Sequence, residues 1–530
     1  MMRALWFSAR LLVRRFRVSL LVWLTTLWAL VAVTPTAYQD VYPSLAQRAV
    51  LVESMRSSPG MRVLYGVVPA PGTVGQLLQW ETGTYLVWCA ALTGILLTTR
   101  VLRGDEDSGL VETARGAGAG RWVGFWAPVL VVWAHLALLG AGVAGILLAL
   151  RGAVAELTVP GSLAFGLTVT LAGWGFAALS ALWCQLARDL PQARGWCFAT
   201  FGVLLGLRVL TDEKEDLAWL RWVTPAGWRD LVRPFSEDAW GPAVTCLLAC
   251  LLVLGVAAVL FGRREYLAGY LPDRSASRRR WRVRGLADLW WRLAWRGLAG
   301  WGVGIAACGI LFGSMTGSIA DLLAPGSPTR AWADQVAGGS AVRQMMTLMT
   351  VVTVLLVASA AVRRVGTLAH EEHGRLLELE LACGVSRGRR YGVHAAGTVV
   401  EAVALTGLAA GGLAWATSTQ LTIDHAVERA VVLTVTQLPG VWAATGLAMA
   451  LVGWAPRLAS LSWAVIAWSG FAQLLGGLVK LPSWAQDLAV VGHAVDVVGE
   501  ADWVPLAVQS GVAVVALLVG WAGFVRRDCV

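Results

Sequence analysis

This chain is predicted to be an all-α polytopic membrane protein, with about twelve transmembrane helices in two six-helix pseudo-repeats. Three observations lead there. Its 530 residues are 57% hydrophobic and only 14% charged, with a mean hydropathy of +0.64, which is not a soluble composition. Apolar runs of the roughly 20 residues needed to cross a bilayer core recur along the chain. A charged stretch between two such runs also occurs twice, about half a chain apart: RVLRGDEDSGLVETARGAGAGR from Arg100 to Arg121, and RRVGTLAHEEHGRLLELELACGVSRGRR from Arg363 to Arg390. Backbone groups in lipid must be satisfied within the segment, so the runs are helices. The short alternating segments of a barrel are absent.

Taken in order, Met2 to Arg17 is basic and amphipathic and reads as a helix on the inner membrane surface. The first span is Ser19 to Ala37, and an outer loop follows from Tyr38 to Glu81, with a helix expected over Ser44 to Met55. Spans then fall at Thr84–Leu102, Trp122–Leu150, Gly161–Leu186, Trp196–Leu210 and Trp240–Phe261. The fifth and sixth are joined by a Trp-rich outer segment containing Trp219, Trp222 and Trp228, as suits a membrane–water interface. The basic linker Arg263–Arg284 separates the halves, giving a first half at 1–265, a linker with a second surface helix at 266–297, and a second half at 298–530. That surface helix is expected over Gly285–Gly297. Spans follow at Leu298–Ile319, Met345–Val362, Tyr391–Ala416, Val431–Trp454, Leu461–Val479 and Val504–Val525.

The net charge of +10 fits the positive-inside rule better than nucleic-acid binding, with both termini cytosolic and most of the 43 basic residues in the predicted inner segments. The only lysines, Lys214 and Lys480, fall in predicted outer loops. Most of the eight cysteines lie within apolar runs and suggest neither disulfides nor a zinc site.

Inside the second charged stretch, His370 to Cys383 is rich in helix formers, Glu371 precedes Arg375 at the favourable i,i+4 spacing, and Gly384 is a natural stop. The two copies align most clearly with Gly116 against Gly384, and upstream of those glycines the register slips by one to three residues.

Several chemistries are disfavoured. Lys214 is followed by Glu and Lys480 by Leu, so no Walker A loop exists. GAGAGR at Gly116 lacks the spacing of a nucleotide-binding glycine loop. HEEH at His370–His373 lacks the HExxH zinc spacing, and no metal site is expected. The carboxylates open to a surface enzyme, Asp40, Glu53, Glu81 and Asp230, are not gathered by anything in the sequence. Glu401 is the sharpest intramembrane charge, with His394 on a similar face and Trp133 near the matching position of the first half; pairing inside the helix bundle competes with a role in an ion pathway.

The order acidic pair, glycine, Glu on a short helix, then Gly and Arg before the next span resembles the membrane subunit of ABC-2-type transporters, and in particular the twelve-span actinobacterial permeases described as polyketide-antibiotic exporters. Glu371, Glu372, Gly374, Arg375 and Glu378 match that pattern with one extra residue before Glu378. The first copy keeps Glu106, Asp107, Gly109 and Glu112 but has Leu110 where arginine is expected. TPAGWRDLVRPF at Thr224–Phe235 and LPSWAQDL at Leu481–Leu488 resemble the family's reentrant outer segments.

The resemblance implies a type V exporter-like fold in the bacterial plasma membrane and a permease without its own nucleotide site. Its partners would be two ABC ATPase subunits, a homodimer, that hold the ATP and Mg; no cofactor would be bound in this chain. Glu106, Asp107, Glu112, Glu371, Glu372, Arg375 and Glu378 would couple to the ATPases through short inner helices. The cargo would be an amphiphilic drug or secondary metabolite, exported by alternating access along a path lined by Phe198, Phe201, Met345, Met349, Phe471 and Gln473. Two other classes stay open: an ion-gradient-driven secondary multidrug transporter, which Glu401 would serve, and a membrane enzyme acting on a lipid-linked substrate.

Overall fold

A computed structural model describes residues 2–57, 59–213, 215–271, 282–322, 341–420, 425–475, 481–495 and 503–527. Among these residues the regular structure is entirely helical, and eleven helices are long and apolar enough to cross a membrane. The chain divides into two compact units, Met1–Arg278 and Arg279–Val530.

In the first unit, α1 (Met2–Val41), α2 (Leu45–Ser57) and α3 (Pro59–Tyr65) lead to α4 (Val74–Thr99). The last starts at a capping box in which the Thr73 hydroxyl accepts from the Gln76 amide and the Gln76 side chain returns to the Thr73 amide. It runs on through a π-helical turn, Arg100–Gly104, to Asp107. A short α5 (Leu110–Gly116) follows, then α6 (Val123–Leu150), α7 (Val159–Leu186), α8 (Leu190–Glu213), α9 (Trp228–Val232) and α10 (Trp240–Arg263). α7 is the core of this unit, packing against α4, α6 and α10. It meets α6 backbone to backbone at Gly140 and Gly166, where a Cβ on either glycine would collide with the carbonyl oxygen of the other. Small residues at such crossings are what membrane helices use in place of a hydrophobic driving force.

In the second unit, α11 (Leu286–Leu322), α12 (Ala341–His373), the short α13 (Leu376–Ala382), α14 (Arg387–Gln420), α15 (Ala426–Val435), α16 (Leu438–Trp454), α17 (Ser462–Leu475), α18 (Ser483–Asp487) and α19 (Val504–Arg526) succeed one another. α11 and α14 cross closely because Gly309 and Gly313 lie against the Ala409 and Leu413 carbonyls. α16 and α19 do the same at Gly446 and Gly453.

Four expectations are corrected. The basic surface helix and first span are one 40-residue helix, and the second surface helix is continuous with its span over 37 residues. At about 1.5 Å per residue each is nearly twice the roughly 30 Å hydrocarbon core; no proline marks either junction, and Gly297 at the second is tolerated inside the helix. The helix expected over His370–Cys383 is two: α12 runs on to His373, and α13 starts at Leu376. The run Val431–Trp454 is divided at Thr436 and Gln437 between α15 and α16. Of the run Leu461–Val479, Ser462–Leu475 is helical and 476–479 lie outside the described residues.

Candidate functional site

Each unit carries a short helix hung from the charged end of a long one, and the two are built alike. The chain enters each short helix through a left-handed residue, Gly109 at φ 76° or Arg375 at φ 58°, and leaves through Gly118 at φ 88° or Gly384 at φ 83°. Seven helical residues lie between in both cases. The register is constant, so Glu106 matches Glu372, Glu112 matches Glu378, Arg121 matches Arg387 and Phe125 matches Tyr391. This corrects the alignment of Gly116 with Gly384 and removes the slippage upstream. It also explains Leu110: its counterpart is Leu376, while Arg375 occupies the position of Gly109.

Three residues before each left-handed position stands a buried glutamate bonded to the arginine that caps the last span of its unit. In the first unit the Arg264 guanidinium donates to Glu106 Oε2 at 2.6 Å, and Arg103 donates to the same oxygen at 3.1 Å. The amide of Leu267 donates to the other oxygen at 2.7 Å. Arg103 is fully enclosed and also donates to the carbonyls of Arg188 and, at 3.1 Å, Ala268. In the second unit Arg527 donates to Glu372 Oε2 at 2.8 Å and to the Gly453 carbonyl at 3.2 Å. Arg264 and Arg527 both sit directly past the end of α10 or α19 in extended backbone. Arg121 and Arg387 tie the following span to the same corners, bonding the Arg264 carbonyl at 2.6 Å and the Arg527 carbonyl. Burying such charges is tolerable only because each is paired and hydrogen-bonded.

Around this shared frame the units differ. In the first, Asp105 accepts from Arg15 of α1 at 2.8 Å, and Asp107 accepts from the Leu190 amide at 2.7 Å. In the second, a file of buried charge runs from the short helix along α14. Arg390 bonds Glu371, and Glu380 at 2.5 Å. Its Nη1 lies 3.5 Å from His394 Nδ1. His394 Nε2 lies 3.1 Å from the Arg364 carbonyl, which selects the tautomer with hydrogen on Nε2. Arg364 then donates to Glu401 at 2.6 Å and to the Ala294 carbonyl at 3.1 Å. A cavity of about 140 Å³ opens beside this file, lined by Trp290, Arg364, Glu371, Glu380, Arg390 and His394 among others. The first unit places Thr98, Gly124, Pro128 and His135 where the second has Arg364, Arg390, His394 and Glu401, so His135, rather than Trp133, is the counterpart of Glu401.

Of the charged residues assigned to one contact set, Glu106, Asp107, Glu371 and Glu372 therefore have internal ionic partners, and Glu371 reaches Arg390 rather than Arg375. Glu112, Arg375 and Glu378 are exposed and form no ion pair among the described residues. The path residues stand in unlike settings. Phe198 is exposed on α8, while Phe201 packs on Phe176 with ring centroids 5.3 Å apart. Met349 is buried in α12, Phe471 is exposed on α17 beside Trp468, and Gln473 is half-buried against Gly492; the Met345 side chain lies outside the described residues. No group of three or more metal-ligating side chains occurs among the described residues.

Sequence reasoning missed Arg103, Arg264, Arg364, Arg390 and Arg527. A signal for two of them was present: FGRRE at Phe261–Glu265 and FVRRD at Phe524–Asp528 end the two halves alike. Phe261 and Phe524 pack on the matched rings of Phe125 at 5.0 Å and Tyr391 at 5.5 Å.

Residues 284–525 match the family described as multidrug efflux system permease Rv1217c, C-terminal domain. The chain is also 30% identical over 532 residues to the multidrug efflux system permease protein Rv1217c of Mycobacterium tuberculosis (strain ATCC 25618 / H37Rv), an alignment covering 98% of this chain and 94% of that one.

Proposed function

Because this chain belongs to the family of the multidrug efflux permease Rv1217c, a multi-pass membrane transport protein, we propose that it is the permease subunit of an ATP-driven ABC exporter for amphiphilic small molecules. Two separately encoded ATPase subunits dock on α5 and α13 from the cytosol and supply the ATP and Mg. The observation that carries this reading is the repeated frame: an exposed seven-residue helix whose root glutamate is locked to the arginine capping the last span. A push on such a helix moves the end of that span with it, since the buried ion pair resists separation. Two such inputs bias a helix bundle between inward- and outward-facing packings.

Glu112 and Glu378 are the outward contacts to the ATPases, and Arg375 adds a third in the second half. Glu401 is held by Arg364, which supports a structural part for it and leaves the driving force to ATP. The test is co-expression with an ATPase pair encoded beside the gene. Glu112→Arg combined with Glu378→Arg is expected to abolish ATP-dependent efflux and co-purification while leaving membrane insertion and melting temperature unchanged, because both side chains are solvent-facing. Efflux at the wild-type rate in that double variant sinks the reading.

A further inference from the structure

At the far end of α4 from its charged turn, the first unit gathers aromatic rings around one carboxylate. Glu81, Tyr85 and Trp88 recur at helical spacing on one face of α4, Tyr38 comes from the end of α1, Tyr42 follows it, and Tyr65 closes α3. Four of the seven tyrosines in the chain thus stand within electrostatic reach of Glu81. The rings touch in series: Trp80 and Tyr65 at 4.8 Å, Tyr65 and Tyr85 edge-on at 5.7 Å, Tyr85 and Trp88 edge-on at 6.3 Å. The Tyr65 and Tyr85 hydroxyls are 2.5 Å apart.

Among the described residues Glu81 has one hydrogen-bond partner, the Tyr38 hydroxyl, and no basic side chain pairs with it. This sets it apart from Glu106, Glu372 and Glu401, each held by arginine. The nearby Arg229 is spent elsewhere: it donates to the Gln79 and Trp80 carbonyls at 3.1 and 3.0 Å, to the Thr84 hydroxyl at 2.6 Å and to the Tyr65 carbonyl at 2.7 Å. Those bonds fix the backbone that carries the rings. Tyr85 is 38% exposed, so the cluster has an open side. Burial, and after it Tyr85 and the charge of Glu81, pushes the Tyr65 hydroxyl above its usual range, which keeps the phenol neutral.

A carboxylate without a basic partner, beside a series of aromatic rings, is complementary to a positive charge spread over an apolar body. We propose that Glu81, Tyr65, Tyr85 and Trp88 form a binding site for organic cations of the quaternary ammonium or phosphonium class. The carboxylate supplies the countercharge, and the rings supply cation–π contact and apolar cover. The second unit has no counterpart: the matching positions of α12 hold Thr347, Val351 and Val354.

The assignment deepens the export reading by naming a cargo class, yet binding to the permease alone requires no ATPase, so the two fail separately. The experiment measures equilibrium binding of tetraphenylphosphonium, and of its anionic isostere tetraphenylborate, to the purified full chain in lipid nanodiscs. Saturable phosphonium binding is expected, with affinity falling at least tenfold in Glu81→Gln and severalfold in Tyr85→Leu and Trp88→Leu. Tetraphenylborate should not lose affinity in Glu81→Gln. Glu81→Gln retains an acceptor for Tyr38, and an unchanged melting temperature excludes misfolding; if that variant is unstable, the two ring variants carry the test. Absence of phosphonium binding in the wild type, or equal affinity in the wild type and the variants, overturns the assignment.

Discussion

The two charged turns share a frame and differ in how they are braced. The first is braced across the unit: Glu106 collects two arginines and a backbone amide, and Arg103 fastens the carbonyls of two further segments. The second is braced along two neighbouring helices, where Arg390, His394 and Glu401 of α14 form one bonded file with Arg364 of α12. The lesson is that the invariant part of this device is small: a glutamate, a left-handed residue, seven helical residues, a left-handed glycine and a capping arginine. Beyond these parts, and the arginine and aromatic ring that open the following span in both units, the bracing uses different chemistry.

The largest expected effect separates the two braces. Glu106→Ala removes the carboxylate shared by Arg103 and Arg264, both enclosed; Arg103 keeps only Asp107 at 3.7 Å as an ionic partner and Arg264 keeps none among the described residues, so a cost of about 3–5 kcal/mol is expected. Glu372→Ala strands only Arg527, which is part-exposed and keeps the Gly453 carbonyl, so about 1–2 kcal/mol is expected after solvent screening. Melting temperature in detergent and yield of folded protein measure the difference, and equal losses would contradict the asymmetry. Next comes Arg390→Lys. A lysine ammonium lacks the planar fork that serves Glu371, Glu380 and His394 together, so a loss of about 1–2 kcal/mol is predicted in the same melting assay. The first unit has Gly124 there and nothing comparable to lose. The smallest effect exchanges the entry residues. Arg375→Gly should stabilise by about 1 kcal/mol and Gly109→Arg should destabilise by about as much, because only glycine takes positive φ without strain. Space around Gly109 is open, so the backbone angle alone is at issue.

Much of this architecture could be read from the chain. Apolar runs near twenty residues became spans because lipid leaves the backbone no other solution. The exits at Gly118 and Gly384 were legible at the second of these positions from glycine alone. The break at Arg375 was not, since an arginine among good helix formers gives no local sign of positive φ. Glu371 looked paired with Arg375 at helical spacing, but a partner far along the chain won, because Arg390 is buried and must be neutralised where it stands. Arg264 and Arg527 were hidden in a different way. Their FxRR setting repeats at the end of each half, yet as basic residues after a span they look like ordinary positive-inside charge.

The helix Leu110–Gly116 buries none of its side chains, and Leu376–Ala382 buries only Leu377. Helices this short do not hold their shape in isolation, so their form is dictated by the turns at either end. Their outward residues are thus free to drift without cost to the fold. Exchanging those faces for the corresponding residues of another permease should give a chimera that folds as before, so that any change in its co-purification with an ATPase would report on the exchanged face and not on the scaffold that carries it.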